Sequence, residues 1–340
     1  MRIQETSSRN SEVIHGGLYY PKDSFKARFC VDGKNQIYEY CQSRQIPHNR
    51  CGKLIVATNQ KQLDDNLPAL QQKATAMGVE VQMLSREDVK FLEPEVECAG
   101  ALLSPSTGVL DSHSFYLSLL ADAEEHGATL ALHTTVDDAE IADNVIRLHS
   151  DGAWIECENV VNTAGLWAGN VASLLHKDTI WKPPAHYYAK GTYFRLEGKP
   201  SFQHLIYPVP EPGGLGVHAT VDWSGLSVKF GPDVEWIDPS IDLNEIDLNP
   251  DPQRGDKFYD QVRKYWPKLG DGKLVPDYVG IRPKLQHPLH HGPILPFMDF
   301  LISGPEEHGV PGLIHLFGTE SPGLTSSMAI GDYVCNLVVE

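Results

Sequence analysis

Asn159-Val160-Val161-Asn162-Thr163-Ala164-Gly165-Leu166-Trp167-Ala168-Gly169 reads as a short buried strand, a turn of small residues and the start of a helix. The β-branched pair Val160-Val161 suits a strand with apolar groups on both faces. Ala164 and Gly165 have almost no side chain, so another backbone or a ligand can come very close there. Val171, Leu174 and Leu175 then form an apolar stripe at helical spacing that can pack onto a sheet. In α/β proteins a strand–glycine–helix turn is where nucleotide phosphate or ribose is held, at the carboxyl end of the strand. The turn predicts an α/β fold. Alone it does not prove a ligand, because βα units without one share it.

Upstream of this stretch the spacing predicts strands over Thr129 to Val136, Val145 to His149 and Trp154 to Cys157, with Asp151-Gly152 as a hairpin turn. Earlier still come a helix over 24–46, a strand over Lys53 to Ala57, and a helix from Leu63 to Met77 capped by Gly78. Ser85-Arg86-Glu87-Asp88 has the form of a capping box, opening a short helix that Pro94 ends. Another helix runs from Ser112 to His126. Downstream, residues 185–237 alternate in Tyr193-Phe194-Arg195-Leu196 and Leu226-Ser227-Val228-Lys229-Phe230, which predicts an antiparallel sheet. A helix is expected over Asp256 to Trp266. Strands Phe300 to Ile302 and Leu313 to Phe317 follow, and Gly318 to Gly323 then opens a terminal helix. The plan is two interleaved domains rather than two in tandem.

The 340 residues suffice for a sizeable core. With 28 Lys and Arg against 45 Asp and Glu, the net charge of −17 repels phosphate backbones and argues against nucleic-acid partners. An anionic ligand therefore needs a local cluster of cations. The six cysteines are scattered with no C-x-x-C pair, as expected of reduced thiols. None of the fifteen histidines shows H-E-x-x-H spacing, and the adjacent His290-His291 faces two directions on an extended chain, so no metal is expected. No apolar run reaches membrane-spanning length, and the first residues lack a signal-peptide core.

One loose G-x-G-x-x-G match exists, Gly214-Leu215-Gly216-Val217-His218-Ala219. It follows Pro208, Pro210 and Pro212 and continues as strand, where a phosphate loop needs a helix N-terminus. It is rejected, leaving no pyrophosphate loop in the sequence.

Taken together, Ser8-Arg9-Asn10-Ser11-Glu12-Val13-Ile14-His15-Gly16-Gly17-Leu18-Tyr19-Tyr20, Cys51-Gly52-Lys53-Leu54-Ile55-Val56-Ala57, Val160 to Leu166, Ala189 to Phe194, Ile206 to Pro210, Gly231-Pro232-Asp233, Gly280-Ile281-Arg282-Pro283-Lys284 and Ser321 to Gly331 resemble the L-2-hydroxyglutarate dehydrogenase/oxidase family. That family lies in the FAD-dependent, D-amino-acid-oxidase-like superfamily, and the resemblance runs from about Ser8 to the C-terminus. It implies an α/β (α+β overall) chain, with a Rossmann-like FAD/NAD(P)-binding domain over 1–50, 108–180 and 282–340. An antiparallel-sheet substrate domain over 51–107 and 181–281 is interleaved with it. Two departures stand out. The opening strand–GxGxxG–helix unit is not seen, so the FAD domain is expected to be N-terminally incomplete, and Glu12 stands where the family has a small residue.

The resemblance implies FAD-dependent oxidation of L-2-hydroxyglutarate to 2-oxoglutarate, with electrons passed to a respiratory acceptor (quinone, flavoprotein or oxygen). Peripheral membrane association, and a mitochondrial location in a eukaryote or a cytoplasmic or membrane-associated one in a bacterium, follow from the same comparison. The alternatives are a truncated, non-catalytic fragment of that enzyme or a related amino-acid or amine oxidase. The chemistry needs a base for the hydroxyl proton, and His has a suitable pKa. His15, beside Gly16-Gly17, is the first candidate, with a purely hydrogen-bonding role as the alternative. His218 is the second, as base or carboxylate ligand or as a structural histidine. Arg282 has the planar fork for a bidentate carboxylate clamp. Lys190 and Lys284 are lesser substrate candidates. For the cofactor the resemblance assigns Arg9, Asn10 and Ser11, Val136 at the adenine, and Ala164 and Gly165 beside the ADP half. Gly323, Leu324 and Thr325 are assigned at the start of the terminal helix, where free N–H groups favour negative charge on the flavin.

Overall fold

Strands from two separated stretches of the chain join in one nine-stranded sheet. The computed structural model describes residues 5–143, 145–210, 216–286 and 297–339. The first stretch of the sheet supplies β2 (Lys53–Ala57) together with Gly100–Ser104 and Gln82–Ser85. The second supplies β5 (Tyr187–Leu196), β6 (Leu205–Pro208), β7 (Ala219–Val221), β8 (Val228–Phe230), Glu235–Trp236 and β9 (Leu274–Lys284). The seam between them is the parallel pair β2–β6, with Leu205 opposite Lys53 and Tyr207 opposite Ile55. Because side chains alternate along a strand, Leu54, Val56 and Ile206 enter the apolar cluster on one face, with Phe258, Val262 and Tyr265. Lys53, Leu205 and Tyr207 face the other way, and Leu205 and Tyr207 pack there against Val13 of β1 (Val13–Ile14) and Val109 of β3 (Gly108–Leu110).

A second sheet is smaller. Its order is β4 (Val160–Asn162), β11 (Leu313–Phe317), β10 (Leu301–Ser303), with β4 and β11 parallel through Val160 opposite Leu313. Among the described residues no strand pairs with the outer edge of β4, and Val161 on it is 38% exposed. Helix α3 (Ala168–Leu175) follows β4 after a 3-10 turn at Gly165–Trp167 and covers this sheet through Ala168, Ala172 and Leu175.

Helix α1 (Phe25–Ser43) and the terminal helix α4 (Gly323–Val339) pack against each other, with Phe25 and Phe29 stacked at 5.2 Å and Tyr333 tilted against both. Ser24 caps α1 by accepting the Ala27 N–H, and the Asp299 carboxylate accepts from the N–H groups of Phe25 (2.7 Å) and Lys26 (2.8 Å). At Gly33 the two helices nearly touch: a Cβ there would lie 2.2 Å from the Thr325 carbonyl oxygen. Only glycine allows this approach, and it fixes the first turn of α4 in place. Helix α2 (Ser112–Glu125), capped by Asp111, packs Phe115 against α1.

Two expectations need correction. Thr129 to Val136 is not a strand; the chain runs exposed and irregular there, with Leu130 and Leu132 in solvent, and regular pairing starts only at Asp138 in the meander Asp138–Ala142, Val145–Ser150, Ala153–Cys157. Its alternating pattern had no partner strand to pair with. The helix expected over 256–266 is the shorter Gly255–Val262. Gly214-Leu215 and His290-His291 lie outside the described residues.

Candidate functional site

Between the two sheets lies a cavity of about 290 Å³. Its walls come from the N-terminal loop (Arg9, Asn10, Ser11, His15), the turn after β4 (Thr163, Gly165), Tyr193 of β5, Arg282 of β9, and the chain from Thr319 to Leu324 that opens α4. The fold thus brings together residues that are more than three hundred positions apart.

Arg282 is positioned by its neighbours. Its Nη2 donates to the Asp233 carbonyl at 3.0 Å. Asp233 is itself held: its Oδ1 accepts the Thr192 N–H at 2.8 Å, and its carboxylate pairs with Arg254. No carboxylate pairs with Arg282 among the described residues, so its remaining donors are available to a ligand.

His15 sits in the opposite wall. Its N–H donates to Thr325 Oγ1 at 3.0 Å, and that hydroxyl donates on to the Val13 carbonyl at 3.1 Å. The ring Nε2 lies 3.3 Å from Ser321 Oγ. Burial, assisted by the charge of Lys53, pushes the imidazole down to about 3, so it is neutral at physiological pH.

The sequence reading missed Lys53. It is 1% exposed, with Nζ 4.8 Å from the ring centroids of both Tyr19 and Tyr207, and has no carboxylate partner among the described residues. Burial lowers its pKa to about 8. A lysine opening an otherwise apolar strand was the available signal. Tyr193, stacked on Tyr278 at 4.5 Å, was also missed as a wall residue, and the Tyr278 hydroxyl donates to the Asn10 carbonyl at 2.5 Å.

Other candidates lie elsewhere. Lys284 is held by Glu320 at 2.5 Å, and Lys26 approaches the same carboxylate at 3.2 Å. Burial pushes Glu320 up, but Lys284 and Lys26 outweigh it and hold the carboxyl below the usual range. Lys190 pairs with Glu235 at 3.6 Å and does not line the cavity. His218 stacks face to face on Tyr207, 3.6 Å between centroids, and is likewise off the wall. Glu12 has φ +63° and turns away to Lys229 (3.1 Å) and the Ser112 hydroxyl (2.9 Å). Val136 lies in the irregular segment before the meander and Ala164 beside the lining residue Gly165; neither reaches the cavity. Thr325 is buried behind it. The Gly323 N–H turns back to the Glu320 carbonyl (2.5 Å), whereas the Leu324 N–H has no partner among the described residues.

A family model described as FAD-dependent oxidoreductase (DAO) matches residues 2–337. The chain is 45% identical to the mitochondrial L-2-hydroxyglutarate dehydrogenase of Arabidopsis thaliana, over 97% of this chain and 75% of that protein. It is 28% identical to L-2-hydroxyglutarate dehydrogenase of Salmonella houtenae, over 98% of this chain and 83% of that one. Among solved structures it is similar to the FAD-bound L-α-glycerophosphate oxidase of Mycoplasma pneumoniae, with a TM-score of 0.81 at 23% identity, covering 99% of this chain and 85% of that one. At that identity the likeness concerns the fold.

Proposed function

The chain belongs to the FAD-dependent oxidoreductase family, and we propose that it oxidises L-2-hydroxyglutarate to 2-oxoglutarate and passes the electrons to an acceptor. The relatives named for this reaction support the substrate. The observation that carries the reading is Arg282, a guanidinium in the cavity wall with no carboxylate of its own among the described residues, in a chain of net charge −17.

The residues present fit the flavin ring. The Leu324 amide is unpaired at the start of α4, where the partial positive charge of a helix end favours a reduced flavin. Arg9, Asn10 and Ser11 line the same cavity. For the pyrophosphate the described residues offer no glycine-rich strand-to-helix turn of the G-x-G-x-x-G kind. Bound in the cavity, FAD would take the hydride equivalent from C2 of the hydroxy acid.

The chain's own groups do the rest. Arg282 grips a substrate carboxylate through its free N–H groups, a geometry that fixes the plane of the acid. His15, neutral at the wall, receives the hydroxyl proton as the C2 carbonyl forms. Tyr193 and the small residues of the β4 turn shape the space around the carbon chain. A mitochondrial location follows the Arabidopsis relative's name, with a respiratory carrier as acceptor; no described helix is long and apolar enough to cross a membrane.

Arg282→Met tests the reading. The KM for L-2-hydroxyglutarate should rise by about 10- to 100-fold, as for loss of a charge-assisted hydrogen bond. An unchanged KM would remove Arg282 from the substrate and the proposal with it.

A further inference from the structure

Outside the cavity, His176, His308, His315 and Trp181 fill the space between α3, β11 and the helix Pro305–His308. His176 and His315 are fully buried. Their rings lie 5.3 Å apart, and His308 sits 5.2 and 5.4 Å from the two. Among the described residues no such group is arranged to hold a metal ion. Instead two of the imidazoles, His176 and His315, bond to each other.

The direction of each bond from Asn162 to Thr179 can be assigned. Asn162 Oδ1 accepts the Ala164 N–H (3.2 Å), which fixes its amide nitrogen on the other side. That nitrogen gives one hydrogen to the Ala168 carbonyl (2.8 Å) and one to His315 Nδ1 (3.0 Å). His315 therefore carries its proton on Nε2 and donates it to His176 Nε2 (3.1 Å). His176 carries its own on Nδ1 and donates to Thr179 Oγ1 (3.1 Å). Thr179 keeps its own hydrogen for the Trp181 and His176 carbonyls, at 3.2 and 3.3 Å. The chain closes only with both imidazoles neutral. One added proton sets two N–H groups against each other, either between the rings or at Asn162.

We propose that this chain is an acid-operated clasp: neutral, it ties β4, β11 and the end of α3 together, and protonated, it releases them and loosens the Thr163–Gly165 turn that lines the cavity. The groups facing it offer a proton little support. Lys182 from the following loop lies with Nζ 3.4 Å from the His176 carbonyl, and His308 faces both rings. The nearby carboxylate of Glu307 is bonded to the Gly304 N–H (2.7 Å). Lys177, at the end of α3, is paired with Asp138 (2.6 Å), and His186 touches Phe317 rather than the pair. Burial, then His308 and Lys182, lower His176 to about 4; burial, then His176 and His308, lower His315 to about 3. Since both fall below the ordinary 6.5, the open form binds protons that the closed form does not, and stability is lost as pH falls below 6.5. At pH 5 this favours opening by about thirtyfold per histidine.

Trp181 reports on the clasp, because it stacks on His315 at 5.7 Å and lies 4.4 Å from His176. The emission difference between the wild-type chain and Trp181→Phe, followed from about pH 8 to about pH 4, should fall with a slope of more than one proton. Hydrogen exchange in residues 160–176 should rise over the same range. A His176→Gln/His315→Gln double variant should lose that transition. A constant Trp181 signal, a slope of one proton or less, or the same midpoint in the double variant would overturn the clasp. If the double variant does not fold, the wild-type slope and the exchange of residues 160–176 decide.

Discussion

Residue 191 and the guanidinium of Arg282 compete for one place: a Cβ on Gly191 would lie 2.3 Å from Arg282 Nη2. The glycine is there to admit the arginine. Gly191→Ala should therefore displace Arg282 and raise the KM for the hydroxy acid about 10-fold or more, as expected of Arg282→Met. Steady-state kinetics check this. A wild-type KM in a folded Gly191→Ala protein would mean that Arg282 moves without consequence.

Thr325 offers a test of how His15 is held. Its hydroxyl links the Val13 carbonyl and the His15 N–H at 3.1 and 3.0 Å. Thr325→Val keeps the shape and removes both bonds, leaving two buried backbone groups unpaired. The expected loss is about 2–3 kcal/mol in urea unfolding, with Thr325→Ser recovering most of it. Equal stability of the Val and Ser variants would show that the hydroxyl carries no load.

Lys53 is a buried cation lacking a carboxylate among the described residues, and its pKa is lowered to about 8 by burial. Below pH 8 it is charged in both the folded and unfolded states, and its desolvation costs a constant amount. Between 8 and 10.5 the unfolded state binds the proton more tightly, so stability should rise with pH across that window. Lys53→Met should stabilise the fold at neutral pH by roughly 3 kcal/mol, with the gap to wild type closing as pH passes through the window. Thermal unfolding at several pH values checks it; a pH-independent gap would contradict the assignment.

Glu320 lies between Lys26 and Lys284, at 3.2 and 2.5 Å. Glu320→Gln leaves two mostly buried cations uncompensated and should cost about 3–5 kcal/mol. In the wild type the folded carboxyl is depressed, so its contribution is present above the ordinary value of 4.5 and is lost as pH falls through the lower folded value. Acid titration of wild type against Glu320→Gln should show the difference shrinking in that range, and a constant difference would count against the ion trio.

The backbone plan was largely readable because it rests on local patterns. Val160-Val161 before Ala164-Gly165, the apolar run Leu313 to Phe317 and the alternation in Tyr193 to Leu196 became strands β4, β11 and β5. Thr129 to Val136 carried the same kind of pattern but found no strand to pair with, which no local window reveals. The site was readable only in part. Arg282 reaches the cavity wall, but Lys284, two residues on, is paired with Glu320, and that partner is set by tertiary packing rather than spacing. Lys53 opened a predicted strand, but that β6 and the Tyr19 and Tyr207 rings close over it is set by tertiary packing. The His176–His315 bond joins residues from α3 and β11 that no motif connects.

The most direct test is anaerobic mixing of the FAD-loaded protein with L-2-hydroxyglutarate while the visible flavin absorption is followed. The account predicts that the absorption is lost, that 2-oxoglutarate forms in equal amount, and that Arg282→Met slows the loss at low substrate. Flavin that stays oxidised with L-2-hydroxyglutarate, or that is bleached instead by an amino acid, would contradict it.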